Sequence, residues 1–88
     1  MKVEFHKNFI KNFNKRFSTK PKIKAKFIQK TKLFTKDPAH PTLKDHPLKG
    51  KKLGLRAFSI TKDIRVVYYV KGDTAYLLDI GTHNQVYK

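Results

Sequence analysis

Near the start of the chain, phenylalanine recurs at every fourth position, and this spacing strongly constrains the fold. Side chains four residues apart lie on the same face of an α-helix, one turn above another. The stripe, widened by Ile10, therefore predicts a helix over residues 7–17 whose apolar face packs into a core. Because 12% of the residues are aromatic and the apolar residues are periodic, the chain does not have the composition of a disordered protein. The residues of the stripe are Phe5, Phe9, Phe13 and Phe17.

The sequence predicts a strand before this helix and a second helix after it. Polar and apolar residues alternate over 2–6, as is typical of a strand. Ser18 and Thr19 offer a hydroxyl cap and Pro21 suits a first helical turn, so the second helix is expected to begin there. Its apolar face is expected to consist of Ile23, Phe27, Ile28 and Phe34.

The second half of the chain has the pattern of a β-meander. Residues 36–54 contain three prolines and two glycines and predict a loop. Lys71-Gly72-Asp73 is typical of a hairpin turn. Gly81 and Thr82 are expected to end the last strand, which leaves 83–88 as a short tail. The three predicted strands cover residues 55–60, 64–70 and 74–80.

This order of elements predicts an α+β fold. Sequential strands joined by short turns pair as antiparallel neighbours, so the last three strands form a meander. The N-terminal strand completes a four-stranded sheet, and the two-helix hairpin packs on one face of it. At 88 residues, the chain is expected to form one domain that spans 1–88.

The charge of the chain predicts a polyanionic partner. Lysine and arginine number 21 against 6 acidic residues, which gives a formal net charge of +15. Twelve of these bases fall within residues 1–36, where Glu4 is the only acid. Such crowding of like charge favours nucleic acid, an anionic membrane or an acidic protein as the partner.

Several kinds of site are excluded or disfavoured by composition. The absence of cysteine excludes a disulfide, a thiolate nucleophile and a cysteine zinc site. The histidines are scattered, with no pair at metal-ligand spacing, so we expect no metal and no cofactor. No apolar run approaches the length of a membrane span or a signal peptide, so we expect a cytoplasmic protein with no membrane partner.

Polar residues cluster at predicted strand ends. Asp63 and Arg65 open one strand of the meander, and His83 and Tyr87 follow the next strand. Because the two strands are antiparallel, residues 63–65 are expected to lie beside His83. Arg65 alternates with its apolar neighbours and therefore points away from the face that they bury.

This part of the sequence resembles the RelE/ParE toxin superfamily, and most closely its YafQ-like and RelE-like messenger-RNA interferases. The resemblance rests on an arginine-bearing strand, Ile-Arg-Val-Val-Tyr, combined with a final Gly-x-His-x-x-x-Tyr. The front half matches only in its layout of a strand followed by a basic helical hairpin. The stretches that carry the resemblance are 46–50, 54–56, 63–68, 79–83 and 86–87.

The resemblance implies the toxin of a type II toxin–antitoxin module. Such a toxin is an endoribonuclease that cuts translated mRNA in the ribosomal A site. The ribose 2′-hydroxyl attacks the adjacent phosphate, a reaction that needs a base, a cation and an acid but no metal. The implied partners are a cognate antitoxin protein, the ribosome and mRNA.

The residues can supply these roles. The Arg65 guanidinium suits phosphate oxygens, His83 is the candidate acid and His46 the candidate base. Asp63 could orient an imidazole, and Tyr87 could stack on a base or hold the phosphate. Further phosphate contacts are expected from Lys49, Lys51 and Arg56.

The assignment of base and acid stays open at this point. The YafQ-like branch is expected to carry a second histidine where this chain has Ser59, whereas the RelE-like branch relies mostly on lysine, arginine and tyrosine.

Two other functions are open. One is a ParE-like inhibitor of DNA gyrase with the same fold and no nuclease, and the other is a basic nucleic-acid-binding module without catalysis. The combination of His83 and Tyr87 favours the nuclease.

Overall fold

A five-stranded sheet organises the chain in the computed structural model, which describes residues 1–50 and 54–87. The spatial order of the strands is β1-β5-β4-β3-β2; β1 is parallel to β5, and the other neighbours are antiparallel. The predicted α+β class and the meander of the last three long strands are confirmed. The strands are β1 (Lys2–Phe5), β2 (His46–Pro47), β3 (Arg56–Ser59), β4 (Ile64–Lys71) and β5 (Thr74–Thr82).

Two helices follow β1, as predicted, and a third closes the described chain. They are α1 (Lys7–Phe17), α2 (Pro21–Lys36) and α3 (His83–Val86), and a 3₁₀ turn covers Pro41–Leu43. None of the helices in the described part is long and apolar enough to cross a membrane.

The start of α2 differs from the prediction. The residue before the helix is Lys20, whose side chain makes no capping hydrogen bond, and Ser18 instead ends α1. Pro21 explains this start, because its fixed φ suits the first helical position and its ring keeps the preceding residue out of the helical region. The predicted hydroxyl cap is therefore wrong, while the predicted start at the proline is right.

Two further expectations are corrected in the second half of the chain. The 36–54 segment is not only a loop, because β2 pairs with β3 and adds a fifth strand. The last strand does not end at Gly81 but continues through Thr82, and the expected tail forms α3. A capping box starts this helix: Thr82 N donates to Gln85 Oε1 at 2.8 Å, and Gln85 N donates to Thr82 Oγ1 at 3.4 Å.

The main core lies between the sheet and helices α1 and α2. Phe9 and Phe17 of the phenylalanine stripe are buried in it, whereas Phe5 remains 45% exposed. Phe34 stacks on Phe58 with ring centroids 4.4 Å apart. Ile28 is 55% exposed, because it lies about 100° around the helix from the apolar row that the core covers.

A smaller apolar cluster lies on the opposite face of the sheet, beneath α3. Its buried members are Leu48, Ala57, Val67 and Val86. The two faces of the sheet therefore have separate roles, since one carries the helical hairpin and the other anchors α3.

A partly buried polar network attaches the loop before β2 to the sheet. Tyr68 Oη donates to Asp45 Oδ2 at 2.6 Å, and Arg56 Nε donates to Asp45 Oδ1 at 3.2 Å. Burial raises the pKa of Tyr68 well above its usual value, and the Asp45 carboxylate raises it further.

The Tyr68→Phe substitution tests this network. We expect the free energy of unfolding at neutral pH to fall by about 1–2 kcal/mol, because Asp45 loses a hydrogen-bond donor. The raised pKa also means that wild-type stability is lost as pH rises above about 10, the pKa of the unfolded phenol. Urea denaturation from about pH 7 to about pH 11 should show a shallower alkaline loss in the variant. An unchanged slope in Tyr68→Phe would contradict the account.

Candidate active site

The register of β4 and β5 brings Arg65 and the residues that follow β5 to one end of the sheet. Ile64 pairs with Thr82, and Arg65 pairs with Gly81. Helix α3 begins at the next residue, His83. The predicted adjacency of residues 63–65 and His83 is therefore confirmed at the level of the backbone.

Gly81 lets α3 fold back over this end of the sheet. A Cβ at this position would lie 2.5 Å from Gln85 Oε1 and 2.8 Å from Arg16 Nη1. Both atoms are already engaged, because Gln85 completes the capping box and Arg16 donates to the Ile80 carbonyl at 2.7 Å. A side chain at Gly81 would therefore push Gln85 and Arg16 out of these hydrogen bonds.

Arg65 is held on the face that carries α3. Its Nη1 donates to Ser59 Oγ on β3 and to the Lys62 carbonyl of the β3–β4 turn, both at 3.1 Å. Within residues 1–50 and 54–87, no carboxylate lies within ion-pair distance of Arg65. Neutral acceptors thus orient the guanidinium, and its positive charge remains available to pair with an external anion.

His83 and Tyr87 form one unit across the single turn of α3. Their ring centroids are 4.5 Å apart, with the rings nearly perpendicular. Tyr87 N also donates to the His83 carbonyl at 3.0 Å. His83 is exposed, whereas Tyr87 is half-buried against the small apolar cluster.

The Tyr87 hydroxyl is buried without a hydrogen-bond partner among the described residues. The Arg65 guanidinium lies close enough for its charge to act on the phenol. Burial raises the pKa of Tyr87, and the Arg65 charge opposes that rise. The phenol is therefore a neutral donor with unused capacity, adjacent to an unpaired cation.

His46 lies on the edge strand β2, on the same face of the sheet. It pairs in register with Ala57, and its Nδ1 is 2.9 Å from the Lys44 carbonyl oxygen. A carbonyl oxygen can only accept, so Nδ1 carries the proton and neutral His46 keeps a lone pair on Nε2. Two strand spacings, about 10 Å, separate β2 from β4, so His46 faces the Arg65 cluster from a distance.

The other predicted residues lie apart from this cluster. Asp63 is exposed in the β3–β4 turn, and no hydrogen bond joins its carboxylate to a histidine in the described part of the chain. Arg56 forms the ion pair with Asp45 on the opposite face of the sheet. Lys49 is exposed just after β2, and Lys51 lies outside the described residues.

Ser59 contacts Arg65, although the sequence drew attention to it only as the position where YafQ-like toxins are expected to carry a histidine. It lies opposite Arg65 in the β3–β4 register, which the short turn between the strands could have indicated. Where the structure describes side chains, no group of three acidic or histidine residues is placed to hold a metal ion.

Comparison with known proteins identifies the family. The family model described as "Bacterial toxin of type II toxin-antitoxin system, YafQ" matches residues 1–88. The chain belongs to the YafQ toxin family. This confirms the resemblance to the RelE/ParE superfamily and its YafQ-like branch. It also makes the chain a toxin of the type II class.

Solved structures agree with this membership. A copper-bound mutant toxin from Helicobacter pylori is 33% identical, with 98% of both chains covered and a TM-score of 0.75. A YoeB/ParE toxin from Agrobacterium tumefaciens shares the fold at 22% identity, with 94% of this chain and 99% of that chain covered and a TM-score of 0.78. YafQ in the E. coli DinJ-YafQ toxin-antitoxin complex shares it at 19% identity, with 98% and 96% covered and a TM-score of 0.70. No curated protein sequence matched the chain.

The Tyr87→Phe substitution tests the unpartnered hydroxyl. Removing a buried polar atom that lacks a partner should not destabilise the protein, and we expect the free energy of unfolding to stay constant or rise by up to about 1 kcal/mol. Thermal and urea unfolding would measure this. A loss of about 2 kcal/mol or more would show instead that the hydroxyl is hydrogen-bonded in the folded protein.

Proposed function

We propose that this YafQ-family toxin is a metal-independent endoribonuclease that cuts translated mRNA in the ribosomal A site. The observation that carries the proposal is the grouping of an unpaired guanidinium, a phenol and an imidazole at one end of the sheet. These are the groups that hold and protonate a phosphodiester. The charge of +15 supports a surface that binds ribosomal and messenger RNA.

The proposed reaction is attack by a ribose 2′-hydroxyl on the adjacent phosphorus. A bond from the 2′-oxygen to phosphorus forms while the bond to the 5′-oxygen breaks. The 2′-hydroxyl proton passes to a base, and an acid gives a proton to the leaving 5′-oxygen. The products are a 2′,3′-cyclic phosphate and a 5′-hydroxyl, so atoms and charge balance without a metal.

The arrangement of the site supports one assignment of roles. An in-line displacement needs its base and acid on opposite sides of the phosphorus. His46 lies on β2 and His83 follows β5, so the two flank Arg65 in the order of strands. His46 Nε2, with its free lone pair, is assigned as the base and exposed His83 as the acid. Arg65 stabilises the charge on the phosphate. The Tyr87 hydroxyl is buried, so its ring is assigned a positioning role, because it packs against the imidazole of His83.

A cognate antitoxin is part of the proposal. The DinJ-YafQ complex shows a toxin of this fold bound to an antitoxin. For the present chain, we propose a small acidic antitoxin that neutralises its basic surface.

Substitutions at Arg65 and His83 test the proposed site. Arg65→Gln and His83→Gln should each lower the rate of mRNA cleavage on translating ribosomes by about 100-fold or more. Primer extension should map wild-type cuts within codons, and end-labelling should find 5′-hydroxyl products. Toxin treated with a chelator, then added to ribosomes in magnesium buffer, should cut at the wild-type rate.

The matched control is Lys11→Gln, an exposed change on α1 that also removes one charge in the same way as Arg65→Gln. It should keep nearly full activity. Cleavage at the wild-type rate by Arg65→Gln would contradict the proposed catalytic site. Intact messages together with gyrase-dependent DNA breaks would contradict the nuclease and favour a ParE-like activity.

A further inference from the structure

A basic groove opens directly beside Arg65. It lies between α2, the segment at residues 42–44 and the β3–β4 turn, and its volume is about 680 Å³. Five cationic side chains line it against a single acid, Asp63. The cationic residues are Lys26, Lys30, Lys44, Lys62 and Arg65.

The lysines of α2 face this groove as a repelling pair. Lys26 and Lys30 are one helical turn apart, so their charges lie on the same face of α2. No carboxylate of the described residues lies within ion-pair distance of either. This repulsion is unfavourable in the free protein, and a bound polyanion would offset it.

The backbone of the opposite wall is unusual. Lys44 has a φ of 49°, which makes it the only non-glycine residue in the described chain with a positive φ. Its backbone N–H donates to the Pro41 carbonyl at 3.2 Å, which closes the 3₁₀ turn. The turn therefore orients a lysine in a sparsely populated backbone conformation at the edge of the groove.

The remaining walls favour a sugar–phosphate backbone over bases. Hydroxyl groups from Thr42, Ser59 and Thr61 line the groove, and no aromatic residue is among its described lining residues. Recognition of single-stranded bases normally uses aromatic stacking, whereas lysines and hydroxyls contact phosphate and ribose oxygens.

We propose that this groove binds the phosphates of the RNA strand next to the phosphate held by Arg65. The inference rests on the proposed ribonuclease function and adds a defined path for the strand, from Arg65 across the β3–β4 turn to Lys26 and Lys30. These lysines bind RNA without touching the reacting atoms.

The test compares two lysine pairs of identical spacing and charge. Lys26→Gln/Lys30→Gln removes the groove pair, and Lys7→Gln/Lys11→Gln removes a pair on α1 that does not line the groove. The probe is a single-stranded 2′-O-methyl oligonucleotide, which the proposed reaction cannot cut. Its affinity is measured by fluorescence anisotropy over a range of salt concentrations, after thermal unfolding has shown that both variants are folded.

In the variant without the groove lysines, log affinity should fall less steeply with log salt than in wild type. We expect the magnitude of the slope to be about 1.4 smaller, which is about 0.7 for each phosphate that a lysine no longer neutralises. The slope of the α1 pair should change by less than half as much. Equal slopes for the two variants, or no change in either, would contradict the proposal that this groove binds RNA.

Failure of this inference is distinguishable from failure of the proposed function. If Arg65→Gln abolishes cleavage while the two lysine pairs behave alike, the ribonuclease stands and the groove is rejected. If the wild type does not cleave RNA but the groove pair alone loses salt-dependent binding, the proposed function is rejected and the groove remains as an RNA-binding surface.

Discussion

The antiparallel pairing of β4 with β5 is the constraint on which the rest of the structure depends. It sets Arg65 opposite Gly81 and delivers the chain into α3 at the same end of the sheet. If the pairing register shifted by one residue, the Arg65 side chain would point into the main core, because neighbouring residues of a strand point to opposite faces. The site therefore needs this register rather than a long catalytic loop.

The two faces of the sheet divide stability from chemistry. On one face, aromatic packing with α1 and α2 forms the main core, and Asn12 and Arg16 donate to Asp79 at 2.8 and 3.1 Å to hold α1 against β5. On the other face, the small cluster beneath α3 supports a guanidinium and a phenol that have, among the described residues, no ion-pair and no hydrogen-bond partner respectively. The guanidinium is therefore available to a phosphate, whereas the buried phenol supports the ring of His83.

The sequence predicted the elements with strong periodicity and missed the short ones. The limits of α1 and the adjacency of Arg65 and His83 could be predicted, because a repeat of four and a short hairpin turn each determine geometry locally. The two-residue strand β2 and the one-turn helix α3 are too short to show a period. The Asp45–Tyr68 hydrogen bond joins residues 23 apart, so only the folded chain reveals it.

The most direct test of the account is a map of where RNA touches the protein. Two-dimensional NMR of the labelled toxin, titrated with an uncleavable 2′-O-methyl oligonucleotide, reports each contacted group. We expect the largest shifts at the Arg65 side-chain N–H, the His83 ring and the Gly81 and Tyr87 amides. If these resonances stay unchanged while those of α1 move, the RNA binds elsewhere and the proposed phosphate site is contradicted.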